Sequence, residues 1–398
     1  MKISFDTIKP GLNWQGSQAK NYIEQSGSKA GVYQYLQDTN SKLREHLPTN
    51  THYLAPNEDI EKFLDKIDLD NLKVIRACHS LDFLGMVDVI PTKVRIHSRN
   101  DIRKAIHEIY KNAKSKEVKD FVNYEFDLNK HAISFDGEIG ILVQDYFNCR
   151  FESGSSAIGS IIEHPHEKGI YRVSVTQDDF VEEVVCNEEA LCLKAGDPDC
   201  TEFKYAVMSP YLLKSAMLLY KQVQSSGLIP NNYSFQMEFG YGKDDVGEQI
   251  NLFQARLFKP YEPKAEFEPE CYRMSLPYGA FGITPDSGVE MKIYSLDEFT
   301  YSQEEMKSIA GNIAYRSCKD WGDHEELPLS IKPENIGAYL VCNTSPNSMR
   351  LPKVLQHGDY RWAQKAPITL MLNSPLKSRD LRSVKVFSNG VIGGIDFV

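Results

Sequence analysis

No part of this sequence stays apolar for the roughly 18 residues that a membrane-spanning helix needs, and the opening MKISFDTIKPGLNW lacks the apolar stretch of a signal peptide. A cytoplasmic protein without a membrane partner is therefore expected. The eight cysteines, at 78, 149, 186, 192, 200, 271, 318 and 342, are scattered and form no CxxC pair. Zinc ribbons and disulfide frameworks need compact spacings, so reduced thiols are the expectation. An excess of positive charge is also lacking: 45 Lys and Arg stand against 55 Asp and Glu, for a formal charge of -10. Such a surface does not draw in nucleic acid or anionic lipid, and a phosphate-bearing ligand would need a local convergence of cations. The GxxxxGK[ST] spacing of a P-loop is absent, as are a fixed-period repeat and a long polar tract of one residue type.

What remains is an ordinary folded composition, 41% hydrophobic and 25% charged over 398 residues, enough for two domains. Helical spacing marks AGVYQYLQDTNSKLREHL, DIEKFLDKIDLDNL, RNDIRKAIHEIYKNAKS and PYLLKSAMLLYKQVQSSG. Strand character marks KVIRAC, EIGILVQDYF, SSAIGSIIEH, GIYRVSVTQ, and the pair YSFQMEFGYG and INLFQARLF about a polar turn KDDVGEQ. The order predicts an α+β domain over 1–262 rather than a doubly wound sheet. KPYEPKAEFEPE, 259–270, rich in proline and charge, reads as a linker. A smaller α/β domain is expected over 271–398, with a helix YSQEEMKSIAGNIAYRSCKDW and closing strands RSVKVFSNG and VIGGIDFV about an Asn-Gly turn.

Three stretches carry residue types suited to phosphate. GSKAG places Lys29 between glycines that admit close backbone approach; a solvated loop lysine is the alternative. In VIRACHSLDFLGM, Arg76 follows an apolar strand and can emerge at a cleft edge to bind phosphate through paired donors. His79 and Asp82 stand nearby, with a structural or solvated histidine as the competing reading. In the third stretch, Glu238 lies on one strand of the closing pair, while Gln254 and Arg256 share a face of the other by the two-residue period. A carboxylate and an amide oxygen suit magnesium; an ordinary cross-strand polar network stands as the alternative.

Taken together, QSGSKAGVYQYL, VIRACHSLDFLGM, ILVQDYF and QMEFGYG…NLFQARLFKP resemble the ordered elements of the ATP-grasp domain in the phosphoenolpyruvate synthase and pyruvate phosphate dikinase family, as LPTNTHYLAP resembles its proline-containing segment. The likeness covers about residues 25–262. It implies that Lys29 and Arg76 hold ATP phosphates, that Glu238 and Gln254 hold Mg2+, that Arg256 meets the γ-phosphate region, and that Gln144 lies near the adenine. Departures from the family are RACH for its RSS, QME for its DIE, where Gln236 replaces an acid, and a loose match of ESGSSAIG to its glycine-rich loop. VLQHGDYRWAQKAPITLML is similar to the family's phosphohistidine loop, with His357 near the histidine position and Arg361 and Pro367 displaced in spacing. His357 as a phosphoryl carrier is set against an exposed or core-edge histidine. The chain is too short to hold the family's pyruvate-binding barrel as well. The expected function is thus an ATP- and magnesium-dependent phosphotransferase, with His357, Arg256 and Arg76 as catalytic residues and a small molecule or protein as phosphoryl acceptor. The alternatives are a catalytically weak nucleotide-sensing or interaction protein and an ATP-grasp ligase.

Overall fold

A computed structural model describes residues 14–40, 42–79, 90, 92–125, 135–147, 157–177, 180–189, 210–244, 247–296, 307–318, 333–343, 366–372, 374–377 and 381–398. The chain divides into two compact units. Unit 1 takes Met1–Ile161, Thr176–Asp178 and Ser209–Phe258; unit 2 takes Ile162–Val175, Asp179–Met208 and Lys259–Val398. Helices and strands mix along the chain, an α+β architecture.

Unit 1 opens with α1 (Lys20–Thr39), which is broken at Gly27 (φ 82°) and resumes to Thr39. Asn40 then turns extended, so the helix stops short of the LREHL expected to continue it. Strand β1 (His52–Leu54) and the short α2 (Ile60–Leu64) follow. Asp59 caps α2 by accepting from the backbone N–H groups of Glu61 (2.9 Å) and Lys62 (3.2 Å). After β2 (Lys73–Cys78) and β3 (Lys93–Ile96) comes α3 (Arg99–Ala113). Its N-cap Ser98 accepts from Asp101 N–H at 3.1 Å, and Ile102, Ala105, Ile106 and Ile109 make the buried stripe that the spacing predicts. Helix α4 (Lys116–Glu125) leads to β4 (Gly140–Asp145).

These four strands form an antiparallel sheet ordered β1-β4-β2-β3. Strands β2 and β4 pair with Lys73 opposite Asp145, Val74 opposite Gln144 and Arg76 opposite Leu142. Alternation along a strand puts Lys73 and Ile75 on one face of the pair and Val74 and Arg76 on the other, with Gln144. The unit is completed by β5 (Ala157–Glu163), α5 (Pro210–Ser225), β8 (Tyr233–Asp244) and β9 (Gly247–Pro260), with β8 between β5 and β9. Both strands extend into the stretch KDDVGEQ expected as a turn. Helix α5 packs on β8, where the Tyr220 ring stacks on Phe235 at 4.0 Å and its hydroxyl donates to the Phe235 carbonyl at 3.1 Å.

In unit 2, β6 (Ile170–Gln177) and β7 (Phe180–Asn187) are neighbours. Seven further strands, β10 (Arg273–Phe281), β11 (Val289–Ser295), β12 (Ile313–Cys318), β13 (Ala338–Asn343), β14 (Thr369–Leu372), β15 (Ser383–Ser388) and β16 (Gly393–Phe397), close a barrel ordered β10-β14-β13-β12-β11-β15-β16. Its interior is filled by Ile293, Ile313, Leu340, Leu370, Val384 and Ile395. The Asn-Gly turn joins β15 to β16 as expected: Gly390 sits at φ 94°, and Asn389 Oδ1 accepts from the N–H groups of Val391 and Ile392. The helix expected across 301–321 does not run through 313–318. Gly311 at φ 72° interrupts it, and Ile313–Cys318 become β12, paired in parallel with β11 and β13. Barrel closure rewards the β-branched and aromatic side chains of IAYRSC more than a helix does.

Candidate functional site

The GSKAG stretch is part of α1, held against the end of β2. A side chain at Gly27 would bring its Cβ within 2.5 Å of the His79 backbone nitrogen, and its φ of 82° disfavours any other residue, so glycine is required twice over. Ser28 N–H donates to the His79 carbonyl at 2.9 Å, and Ala30 N–H to Cys78 Sγ at 3.1 Å. Cys78 Sγ in turn donates to the Ser26 carbonyl at 3.0 Å. Lys29 therefore stands on a packed helix at 5% exposure, which removes the solvated-loop alternative. Tyr33 follows one helical turn later, on the same side of α1.

The Tyr33 hydroxyl reaches β9, donating to the carbonyls of Phe253 and, at 3.3 Å, Leu252. Burial pushes its pKa up to about 12, against the opposing effects of Arg76 and of a hydrogen bond from Gln144. Gln144, also buried, contacts Thr51 Oγ1 at 3.4 Å. Arg76 donates through Nη1 to the same Phe253 carbonyl (2.9 Å) and through Nη2 to Gln254 Oε1 (3.1 Å). Arg256 Nη2 donates to that oxygen from the other side (3.0 Å) and lies 3.8 Å from Glu238 Oε1. The Arg256 and Glu238 side chains keep 15% and 24% exposure, so the far end of the chain of contacts is open to solvent.

Arg76, Gln254, Arg256 and Glu238, all singled out from sequence, thus form one continuous polar chain, with Gln144 adjoining it through Tyr33. Lys29 shares a helix side with Tyr33. Tyr33 itself was missed; its position one turn beyond Lys29 was the available signal. His79 is partly buried with its ring edge-on to Phe135 at 5.4 Å, and desolvation holds its pKa down to about 4. Asp82, residues 152–156 of ESGSSAIG, His357 and Arg361 lie outside the described residues.

Two guanidinium groups face one carboxylate, a balance that suits an anion carrying a cation with it. Magnesium needs few protein oxygens, since waters and phosphates complete its shell. Glu238 fits that role directly. Gln254 fits it less directly, because its amide oxygen already accepts from both arginines. Among the described residues no three His, Cys, Asp or Glu side chains gather as a metal cluster, and no helix is long and apolar enough to cross a membrane.

No protein-family model and no curated protein sequence matches the chain. Among solved structures it is similar to D-alanine-D-alanine ligase from Helicobacter pylori, with 10% identity, a TM-score of 0.31, and 58% of this chain and 51% of that one covered. It is also similar to a dinucleotide-forming acetyl-coenzyme A synthetase from Ca. Korarchaeum cryptofilum, with 15% identity, a TM-score of 0.33, and 58% and 90% covered. A third is N5-carboxyaminoimidazole synthetase from Staphylococcus aureus in complex with ADP, with 8% identity, a TM-score of 0.31, and 59% and 45% covered. The match thus spans about half the length of the first and third of these proteins. Likenesses this slight decide neither the fold nor the chemistry of this chain.

Proposed function

We propose that unit 1 is an ATP-grasp-like domain that binds ATP with magnesium and donates a phosphoryl group to a small molecule or protein. The observation carrying this reading is the contact chain Arg76–Gln254–Arg256–Glu238, which brings two phosphate-matching forks and one hard anionic oxygen together from separate strands. Arg76, fixed by the Phe253 carbonyl, takes the inner phosphate oxygens with Lys29. Arg256, more exposed, meets the terminal phosphate. Gln144 stands toward the base. Magnesium held at Glu238 would neutralise phosphate charge; phosphoryl transfer depends on positioning and electrostatics rather than on covalent work by the protein. His357 is the proposed carrier if transfer passes through phosphohistidine, its neutral nitrogen attacking phosphorus as the bond from that phosphorus to the departing nucleotide's oxygen breaks.

Incubation with γ- and β-labelled ATP and magnesium tests the reading. Acid-labile, base-stable label that disappears in His357→Ala supports the carrier route, and label passing to an added acceptor without it supports direct transfer. The double engagement of the Gln254 oxygen favours one second reading, a nucleotide-binding protein without turnover. Tight ATP binding with no labelled product selects that reading, and absence of ATP binding removes both.

A further inference from the structure

Gln236 lies on β8 two residues before Glu238, so the strand period turns both side chains to the same face. Phe235 between them and the previous turn faces the other way, stacked on Tyr220 of α5. Gln236 is buried at 1% exposure, yet neither its Oε1 nor its Nε2 has a hydrogen-bond partner among the described residues. A buried carboxamide with both polar atoms unpaired is unfavourable unless something else satisfies them. That something must offer an acceptor for the N–H group and a donor or cation for the oxygen.

The neighbouring amide supplies the contrast. Gln254 Oε1 is committed to Arg76 and Arg256, whereas Gln236 Oε1 is committed to nothing. Magnesium takes hard oxygen ligands and leaves phosphate oxygens beside it that accept hydrogen bonds. A metal-bound polyphosphate therefore presents both partners that a free carboxamide needs, and an acidic side chain at 236 would have matched only the cation.

We infer that Gln236 is a ligand-holding residue, its amide oxygen sharing a divalent cation with Glu238 and its N–H group donating to a phosphate oxygen on that cation, while Gln254 serves to hold the two arginines. This rests on the reading of unit 1 as a nucleotide site. It assigns the metal-side amide to a residue other than the one first expected.

The test measures Mn2+ affinity by electron paramagnetic resonance on the full chain, with the non-hydrolysable analogue AMPPNP, beside AMPPNP affinity in EDTA by calorimetry. Gln236→Leu is expected to weaken Mn2+ binding in the ternary complex at least tenfold while metal-free AMPPNP affinity changes less than about threefold. Gln236→Glu, close in size and adding a charge, is expected to tighten Mn2+ binding; it keeps the test decisive if the leucine variant does not fold. Unchanged Mn2+ affinity in a folded Gln236→Leu or in Gln236→Glu overturns the inference while wild-type AMPPNP binding leaves the nucleotide reading standing. Failure of the wild-type chain to bind AMPPNP with or without Mn2+ overturns both.

Discussion

On one face of the β2–β4 pair, Lys73 is fully buried and donates to Asp145 directly across the sheet, and Asp145 also accepts from Thr49 Oγ1 (2.8 Å), Asn50 Nδ2 (2.7 Å) and Asn71 Nδ2 (3.2 Å). On the other face, Arg76 is tied to a backbone carbonyl and to an amide oxygen that a second arginine shares. The first cluster matches a buried cation to a buried anion and surrounds the anion with donors. The second gathers two cations about a neutral acceptor, with one partly exposed carboxylate at its end. A saturated pair holds strands in register; an arrangement with surplus positive charge and an open end is suited to receiving something.

The sharpest way to break this contrast is to remove one member of the saturated pair. Asp145→Ala should cost roughly 3–5 kcal/mol, because it strands the Lys73 ammonium in the interior, and adding Lys73→Met should recover part of that loss. Urea denaturation of the two variants checks it. A loss under about 1 kcal/mol would show that solvent reaches Lys73 and that the two faces are alike.

Acid should separate two groups of unit 1 by the pH at which each gives up its stabilisation. His79 has its pKa lowered by burial from 6.5 to about 4. Below pH 6.5 the unfolded chain takes up a proton that the folded chain refuses, so the stability His79 contributes near neutrality is lost as pH falls toward about 4, at up to about 1.4 kcal/mol per pH unit. Burial pushes the Asp145 carboxyl up, but hydrogen bonds from Lys73, Thr49 and Asn50 prevail and its pKa lies below the ordinary 3.8. Its stabilisation is therefore complete above that value and is lost only in stronger acid. His79→Asn should flatten the stability profile between pH 6.5 and 4 and leave the steeper acid limb in place. A profile unchanged by the substitution would place His79 in contact with water.

Much of the open cluster was legible in the sequence because its clues are local. Gln254 and Arg256 share a face by simple alternation, and Arg76 directly follows the apolar pair Val74 and Ile75. The saturated pair was not legible, since Lys73 and Asp145 meet only through a register between strands distant in sequence. Tyr33 was hidden for a different reason: it sits among the apolar positions of α1, and only the tertiary approach of β9 shows that its hydroxyl has a polar task. The break at Gly27 likewise depends on how closely the end of β2 approaches. Residues 313–318 went the other way, because a local helical spacing yielded to pairing in a closed barrel.

On the open face, smaller losses of stability but larger losses of chemistry are expected. Arg256→Ala and Glu238→Ala should each lower ATP-dependent turnover at least about tenfold, near 1.4 kcal/mol, with little change in denaturation midpoint, since both side chains are partly exposed. Wild-type rates in both variants would take them out of the site and leave the cluster as a cross-strand network like the one on the opposite face.

The finest distinction concerns the Phe253 carbonyl, which accepts from both Tyr33 and Arg76. Each donor alone keeps that carbonyl paired, so Tyr33→Phe should cost only about 1 kcal/mol, and the loss of the Arg76 donor to Phe253 should be buffered in the same way. Removing both leaves the carbonyl with neither, and the double variant Tyr33→Phe, Arg76→Met should lose more than the two single losses combined, by about 0.5 kcal/mol or more. Denaturation of all four proteins gives the coupling directly. Strict additivity would mean that Tyr33 and Arg76 act independently, that β9 is not held by a shared acceptor, and that the arginine is placed by its neighbours on β2 alone.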